Sequence, residues 1–298
     1  MADIAPILHI ISPLKQVSPF DVNMAVDAGY ATILPYANVR LEEMTDLTQD
    51  MMFSRPPDHA ARTGLFIGGK DASLALDMAK EARSALFPPF EISIFVDPAG
   101  SFTTAAAMIA EVERKLRGRR EGGLKGANVQ VYGATGVVGG IAAVIAAQAG
   151  ARVTLVSHRD VDTVRLKAAD FKVRFDVDLA SASARNDEEK NALLPEADVV
   201  LACGKAGVQI LSADNLAFAK NLKVAADVNA VPPSGIAGVE ALDDGKPLAG
   251  GALGVGALVI GHLKYRVQHE LLKRMRATDT ALTIGFEDAY SIARSLSA

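Results

Sequence analysis

Three glycines at intervals of three residues form the clearest chemical pattern in the sequence. The segment reads Gly133-Ala134-Thr135-Gly136-Val137-Val138-Gly139 and follows an apolar run at 129–132. Glycines in such a turn allow a tight bend, a close approach of the backbone to a pyrophosphate and close helix–strand packing. The helix N-terminus that follows offers free N–H groups to phosphates. The pattern predicts a turn that holds a nicotinamide dinucleotide; a glycine-rich turn without a ligand is the alternative.

The end of the next predicted strand bears on the choice between NAD and NADP. An NAD site usually places a carboxylate there for the ribose hydroxyls, whereas an NADP site places arginine and small polar residues there. Here the residues are Ser157, His158 and Arg159, with Asp160 one position late. We therefore expect the chain to use both NAD and NADP, with Arg159 as the one cation for the 2′-phosphate unless it is a solvated surface residue.

Two later strand ends should reach the same crevice, because ligands of parallel α/β sheets lie at the carboxyl ends of the strands. Cys203, Gly204, Lys205 and Gly207 follow one strand, and Asn229 follows the next. We expect the two glycines to line the nicotinamide ribose and Asn229 to bond the carboxamide. Cys203 is interpreted as a small core residue rather than a nucleophile, since free cysteines are usually buried.

Alternating apolar runs and amphipathic stretches predict an α/β fold with parallel sheets. Predicted strands lie at 7–11, 31–34, 65–67, 92–96, 128–132, 152–156, 173–177, 199–202 and 223–226. Predicted helices lie at 21–28, 72–85, 103–117, 137–149, 161–169, 257–275 and 286–296. The glycine-rich stretch 249–256 is expected to be irregular.

The charged, glycine-rich stretch 117–126 is interpreted as a domain linker, with a long surface loop as the alternative. We expect an N-terminal α/β substrate domain at 1–122, completed by a C-terminal helical segment at about 257–298. A Rossmann-type domain with a doubly wound parallel sheet should occupy 123–256.

Composition excludes several classes of protein. The 298 residues carry a formal net charge of −4, which disfavours a nucleic-acid surface. The apolar stretches are interrupted too often for a membrane span, and the first residues lack a signal-peptide pattern, so we expect a cytoplasmic protein. One cysteine allows no disulfide within the chain, and no metal-ligand or serine-nucleophile motif is present. We expect no metal, and a homo-oligomer.

Several further segments resemble one family over nearly the whole chain. They are 18–21 (SPFD), 66–71 (FIGGKD), 97–107 (DPAGSFTTAAA), 124–126 (LKG), 227–233 (DVNAVPP) and 251–256 (GALGVG). Together with the glycine turn they resemble bacterial methylene-tetrahydromethanopterin dehydrogenases. NADP-specific members carry Gly-Arg-Lys after the second Rossmann strand, where this chain has Ser157-His158-Arg159. The resemblance therefore favours the branch that uses both cofactors.

The resemblance implies a reaction that needs no acid, base, nucleophile or metal. Methylene-tetrahydromethanopterin would be oxidised to the methenyl form, with hydride passing to NAD or NADP, in the formaldehyde oxidation of a methylotroph. The two nitrogens beside the reacting carbon stabilise the cation, so the protein supplies orientation and electrostatics. A nearby carboxylate would help. Asp21 and Asp97 are the candidates. The alternative for Asp21 is a charge at the start of a helix, and the alternative for Asp97 is a turn-former before Pro98.

Other candidates for the pterin site lie in the same segments. Phe20, Lys70, Asp71, Ser101, Thr103, Thr104 and Lys264 are expected there. The threonines and Ser101 could instead cap a helix, and Lys70 with Asp71 could be a solvated loop pair. The family's lysine after Gly-Ala-Leu-Gly has no close match, since Lys264 is the next lysine.

Two other functions remain open at this point. A methylene-tetrahydrofolate dehydrogenase would share the two-domain organisation; the predicted helix at 21–28 has no lysine, which argues against an added cyclohydrolase activity. A non-catalytic NAD(P) sensor would bind the cofactor without turnover. Assays with the two carriers separate these possibilities.

Overall fold

The computed structural model describes residues 4–298 and is an α/β fold that divides into two compact units. The first unit comprises the described residues up to Thr103 together with Tyr265–Ile292; the second comprises Thr104–Lys264 and Ala293–Ala298. Both sheets are mainly parallel. The predicted fold class is thereby confirmed. Across residues 4–298, no helix is long and apolar enough to cross a membrane.

The first unit is built on a five-stranded parallel sheet. Its strands are β1 (Ile7–Ile11), β2 (Thr32–Tyr36), β3 (Thr63–Ile67), β4 (Ser93–Val96) and β12 (Thr283–Ile284), in the order β12-β4-β3-β1-β2. Strand β3 is buried along its whole length, as parallel strands with both faces covered are. The C-terminal part of the chain therefore supplies an edge strand to the N-terminal sheet.

The helices of the first unit follow the expected βα alternation. They are α1 (Pro19–Asp27), α2 (Met44–Phe53) and α3 (Ala72–Ala85), followed by the start of α4 (Ser101–Leu116) and, late in the chain, most of α9 (Ala257–Ala277) and α10 (Phe286–Leu296). Buried alanines at every third or fourth position of α3 form its core-facing stripe. Strand β1 and helices α3 and α10 have the predicted bounds, whereas α2 and β12 were not predicted.

The second unit carries a seven-stranded sheet in the order β10-β11-β9-β8-β5-β6-β7. Its strands are β5 (Asn128–Tyr132), β6 (Arg152–Ser157), β7 (Ala180–Ser183), β8 (Val199–Ala202), β9 (Val224–Asp227), β10 (Asp244–Pro247) and β11 (Leu253–Val255). Among these described strands, only the β10–β11 pair is antiparallel. The first strand of this sheet along the chain, β5, is an inner strand with β6 on one side and β8 on the other. This reversal of strand order marks the crevice where doubly wound sheets bind ligands.

The helices of the second unit cover this sheet. They are α5 (Val137–Gln148), α6 (Val161–Phe175), α7 (Asp187–Leu193) and the short α8 (Ala213–Leu216). Helix α5 is apolar almost all round, with eight consecutive buried residues from Gly139 to Ala146, which is typical of a helix enclosed in the core.

Two predictions about elements of this unit are wrong. The first three residues of the strand predicted at 173–177 belong to α6, which ends at Phe175, and Asp176 follows with φ 54°. Phe171, Val173 and Phe175 alternate like a strand, but Val173 is 87% exposed. The Phe171 and Phe175 rings instead meet at 5.8 Å on one helix face. The stretch 249–256, predicted to be irregular, contains β11.

Candidate functional site

The glycine turn joins β5 to α5 with a geometry that larger residues cannot adopt. Gly133 has φ +82°, and a Cβ there would lie 2.7 Å from the backbone nitrogen of Gly204. At Gly139 a Cβ would lie 2.6 Å from the Gly133 carbonyl oxygen, which explains why the helix packs so close to the strand. Gly136 is the N-cap of α5 and its N–H donates to the Gly133 carbonyl.

A cavity of about 680 Å³ lies over this turn at the carboxyl ends of the strands. Most of the residues predicted to bind the cofactor line this cavity, namely Gly133, Thr135, Gly136, Ser157, His158, Arg159, Cys203, Gly204 and Lys205. It is also lined by residues that were not predicted, among them Arg185, Lys190 and Gln209. The strand that precedes the first two of these reads Ala-Ser-Ala-Ser, too weak an apolar signal to be recognised as a strand. The volume and lining suit an extended, multiply charged ligand.

Other members of the predicted site support the turn from behind or beside it. Ala134 is fully buried, and Gly139 packs against Gly133. Val137 and Val138 form the first turn of α5 and are half-buried. These residues hold the backbone of the turn in place and do not line the cavity.

Asn229 and Gly207 organise a loop at the end of β9. The Asn229 side-chain oxygen Oδ1 accepts from the Gly207 N–H (3.1 Å) and from the Val231 N–H (2.9 Å). Its amide donates to the Pro233 carbonyl at 2.8 Å, beside the cis peptide bond between Pro232 and Pro233. The side chain predicted to bond a carboxamide thus has a structural function that spacing alone could not reveal.

Buried Asp227 fastens the same loop from inside. Its carboxylate accepts from the N–H groups of Asn229 (2.9 Å) and Ile236 (3.1 Å). Burial raises the pKa of Asp227, and the backbone hydrogen bonds partly oppose that shift. The loop therefore has a fixed anchor at the strand end.

Cys203 has the environment of a packed residue rather than a nucleophile. Although the residue as a whole is partly exposed, its Sγ lies 3.7 Å from the Met108 sulfur. Burial, with a smaller effect from the Asp227 carboxylate, raises the pKa of the thiol to about 12. A thiol with such a pKa is not a nucleophile near neutral pH.

Asp160 caps the helix that follows β6. Its Oδ1 accepts from the Thr163 N–H and the Thr163 hydroxyl, both at 2.8 Å. Hydrogen bonds from Thr163 lower the pKa of Asp160. The carboxylate is thus engaged at the N-terminus of α6, in keeping with its late position after the strand.

The first unit has its own cavity, of about 270 Å³, beside the N-terminus of α1. Three predicted residues line it, namely Phe20, Asp21 and Lys70, together with Ser12, Gln16, Gly68 and Ala99. Phe20 is 47% exposed, whereas Asp21 is 3% exposed. An aromatic ring, a buried carboxylate and a lysine at one opening suit a flat heterocycle that acquires positive charge.

Gln268 holds Asp21 from within the first unit. Its amide nitrogen lies 3.2 Å from the Asp21 Oδ1, and the glutamine is fully buried on α9. The two residues are 247 positions apart, and no local motif marks the glutamine, so its role could not be predicted from the sequence. Lys264, four residues earlier on α9, is 8% exposed.

Asp97 is buried at the start of α4 rather than along the cavity lining. Its carboxylate accepts from the N–H of Phe102 (2.8 Å) and from the N–H and hydroxyl of Thr103 (3.2 and 2.7 Å). The Ser101 hydroxyl donates to the Pro98 carbonyl. For Ser101 and Thr103 this is the helix-capping alternative that the sequence left open. For Asp97 the sequence offered a turn-former as the alternative, whereas its carboxylate accepts hydrogen bonds at the helix start.

Two further predicted substrate residues also lie at helix starts. Asp71 is the N-cap of α3, where its Oδ1 accepts from the Leu74 N–H at 2.9 Å. Thr104 lies in the first turn of α4 and is half-buried. Within residues 4–298, no group of histidine, cysteine and carboxylate side chains could hold a metal ion.

A doubly wound sheet with a glycine turn after β5 and a cavity over that turn is the architecture of dinucleotide-dependent dehydrogenases of the α/β class. The chain is 48% identical, over 96% of its length and 97% of the relative's, to the NAD(P)-dependent methylenetetrahydromethanopterin dehydrogenase of Methylorubrum extorquens strain AM1. The chain belongs to this family.

Other comparisons agree with that assignment. The family model "Methylene-tetrahydromethanopterin dehydrogenase, N-terminal" matches residues 19–99. The bifunctional protein MdtA of the same organism is 29% identical over 94% of both chains. Among solved structures, 5-ketofructose reductase of Gluconobacter sp. strain CHM43 is similar with a TM-score of 0.50, at 14% identity over 98% of this chain and 99% of that one. Ornithine carbamoyltransferase from Pyrococcus furiosus is similar with a TM-score of 0.52, at 11% identity over 92% of this chain and 86% of that one. Both similarities show the fold alone.

Proposed function

We propose that this chain oxidises methylene-tetrahydromethanopterin to the methenyl form and transfers the hydride to NAD or NADP. The observation that carries the proposal is the glycine turn opening onto a 680 Å³ cavity in a chain of this family. A Cβ at Gly133 or Gly139 would collide with backbone, so only glycine lets the start of α5 lie this close to the strand ends. The free N–H groups at the start of that helix suit a pyrophosphate. When bound, the nicotinamide supplies the hydride acceptor.

Different residues along the cavity would bind different parts of the cofactor. Backbone N–H groups at the start of α5, around Gly136, would bind the pyrophosphate, whose charge the positive end of the helix dipole favours. Ser157 and Arg159 would bind the adenosine ribose, and Gly204 the nicotinamide ribose. Asn229 shapes the loop that completes the nicotinamide end of the site.

In the first unit, Asp21 is the residue we assign to the developing cation. Its carboxylate lines the small cavity and is held by buried Gln268. Negative charge that is fixed before the reaction stabilises positive charge as it forms on the pterin carbon and nitrogens. Phe20 would stack on the heterocycle, and Lys70 would meet its polar edge or tail. Asp97, the other carboxylate predicted from the sequence, lies outside the cavity lining with its carboxylate engaged at the start of α4, so Asp21 is the better candidate.

A direct assay tests the function. Purified protein should reduce both NAD and NADP with methylene-tetrahydromethanopterin, and should be slower by at least an order of magnitude with methylene-tetrahydrofolate. Equal or faster turnover with the folate would favour the methylene-tetrahydrofolate dehydrogenase. Tight NAD(P) binding without turnover on either carrier would favour the sensor.

We propose a cytoplasmic location and a homo-oligomeric state for the enzyme. The single cysteine needs no oxidising compartment, and the cofactor pools that the reaction requires are cytoplasmic. Cell fractionation tests the location. Light scattering on eluted protein tests the oligomer, and a mass of about 31.2 kDa, that of one chain, would contradict it.

A further inference from the structure

Two arginines occupy equivalent positions beyond the ends of neighbouring strands. In the parallel register of β6 and β7, Ser157 pairs with Ser183. Arg159 lies two residues after Ser157, and Arg185 lies two residues after Ser183. Adjacent strands lie about 4.8 Å apart. The Ala184 N–H also donates to the Ser157 carbonyl at 2.7 Å. The loop that carries Arg185 is thereby fastened to the segment that carries Arg159.

Both arginines line the cavity over the glycine turn, and most of the charged side chains that line it are positive. Among the described residues, four cationic side chains line it, namely Arg159, Arg185, Lys190 and Lys205, against the single carboxylate of Asp160. That carboxylate is engaged with the N-terminus of α6 through Thr163. Lys190 is paired with Asp187 at 3.0 Å, and Arg185 is paired with Glu189, so part of this positive charge is neutralised beside the cavity. Arg185 nevertheless adds a second guanidinium for a dianionic group to the one arginine recognised in the sequence.

The Arg185 guanidinium is held in place by a neighbouring side chain. Glu189 Oε1 accepts from Arg185 Nε at 2.9 Å and from Nη2, while Oε2 accepts from the Arg185 backbone N–H at 2.9 Å. The remaining nitrogen, Nη1, lies on the other edge of the planar group, where it can donate to phosphate oxygens. An arginine fixed in this way loses less side-chain entropy when it binds an anion.

We propose that Arg185 and Arg159 together bind the 2′-phosphate of NADP, and that Arg185 is a determinant of the choice between NAD and NADP. The inference rests on the proposed function only in that the cavity must bind the adenosine half of the cofactor. It explains how the chain can use NADP although the segment after β6 carries a single arginine. Adenosine without the 2′-phosphate has no group for the two guanidinium groups to clamp.

The test separates the phosphate from the rest of the cofactor. We would measure Kd for adenosine 2′,5′-bisphosphate and for ADP by calorimetry on wild type, Arg185→Gln and Arg159→Gln. The ratio of the bisphosphate Kd to the ADP Kd should rise about 10-fold to 100-fold in each variant, the scale of one lost charge-assisted contact. Lys220→Gln removes one exposed positive charge away from the cavity lining and should leave the ratio at the wild-type value.

Three outcomes would overturn the proposal. An unchanged ratio in Arg185→Gln would place this guanidinium away from the phosphate, and an equal loss of both ligands would make it a general adenosine contact. Arg185→Lys keeps the positive charge, so the ratio should rise less in this variant than in Arg185→Gln. If Lys and Gln variants behave alike, Arg185 only supports its loop. A wild type that shows the Arg185-dependent ratio but no turnover with either carrier would instead refute the proposed function alone.

Discussion

At the scale of single residues, glycine is needed in the turn for two different reasons, close packing and access of the phosphates. Gly139→Val should destabilise the protein and abolish dinucleotide binding, because a Cβ would lie 2.6 Å from the Gly133 carbonyl oxygen. Gly136→Val should fold, since its Cβ would be 3.3 Å from the same oxygen, but its side chain would occupy the phosphate position. Calorimetric titration of NAD and NADP, with thermal melts, measures both effects.

The control for the glycine variants lies on an open face of helix α9. A Cβ at Gly261 would have no atom within 4 Å beyond the neighbouring backbone of its own helix, so Gly261→Val should leave dinucleotide affinity unchanged. Wild-type affinity in both turn variants would contradict the assignment of this turn.

Asp21 and Gln268 give the second prediction at this scale. Asp21→Asn should lower the turnover number by about 100-fold, the scale of losing one preorganised electrostatic partner. Gln268→Leu should lower it less, because the carboxylate remains but loses a donor. Affinity for NAD and NADP should be retained in both, since these residues belong to the first unit. Stopped-flow turnover with methylene-tetrahydromethanopterin measures the effect.

The matched control for Asp21 is on the same helix. Asp27 is exposed and accepts from the Tyr265 hydroxyl at 3.2 Å, so Asp27→Asn should keep wild-type turnover. If Asp21→Asn also turned over at the wild-type rate, the carboxylate would have no part in stabilising the cation.

The sequence reveals some of these residues because their chemistry is local. The glycine turn is recognisable because the bend, the phosphate approach and the helix contact all fall within seven residues. Gln268 and Arg185 are not recognisable, because their positions depend on contacts that only the folded chain makes. One meets a carboxylate 247 residues away, and the other depends on the register of β6 with β7.

At the scale of elements, a charged cluster joins α4 to the β10–β11 hairpin in the second unit. Lys115 Nζ lies 2.6 Å from Asp244 Oδ1, and Arg114 bridges Asp244 to buried Glu111. The Lys115 hydrogen bond, followed by that of Arg114, lowers the pKa of Asp244. The cluster therefore makes a pH-dependent contribution to the stability of this unit.

The sign of that dependence follows from the lowered pKa. The stabilisation is fully present above the unfolded-state pKa of about 3.9 and is lost as pH falls through the lower folded-state value. Asp244→Asn should lower Tm by a few degrees at pH 7, and the gap to wild type should close below about pH 4. Asp178→Asn, with a side chain 89% exposed, is the control and should shift Tm little. A gap that stays constant down to pH 3 would rule out an ionic origin.

Strand and helix patterns account for most of the element predictions, and their failures have a physical cause. The run from Phe171 to Val177 alternates with period two, yet it continues a helix because Phe171 and Phe175 pack together on one face. The third strand of the second unit along the chain is β7, which consists of alanine and serine. These residues have little intrinsic strand preference. Its place is set by pairing with β6 and not by its own residues.

At the scale of the whole molecule, the proposed reaction sets the pH dependence of turnover. Hydride loss from the methylene carbon releases no proton from the carrier and requires none from the protein, so no general base takes part. The described residues at the cofactor cavity agree with this, since the Cys203 thiol has a pKa raised to about 12 and Asp160 has one lowered by Thr163. Neither group changes charge between pH 6 and pH 8.

The turnover number at saturating cofactor and carrier should therefore be nearly flat from pH 6 to pH 8. Substrate deuterated at the methylene carbon should slow turnover to the same extent across this range, because the C–H bond breaks in the same step at every pH. A turnover number that rises tenfold per pH unit would reveal an essential base. Such a base would have to be found among the residues of the first unit's cavity, and the electrostatic role of Asp21 would give way to proton transfer.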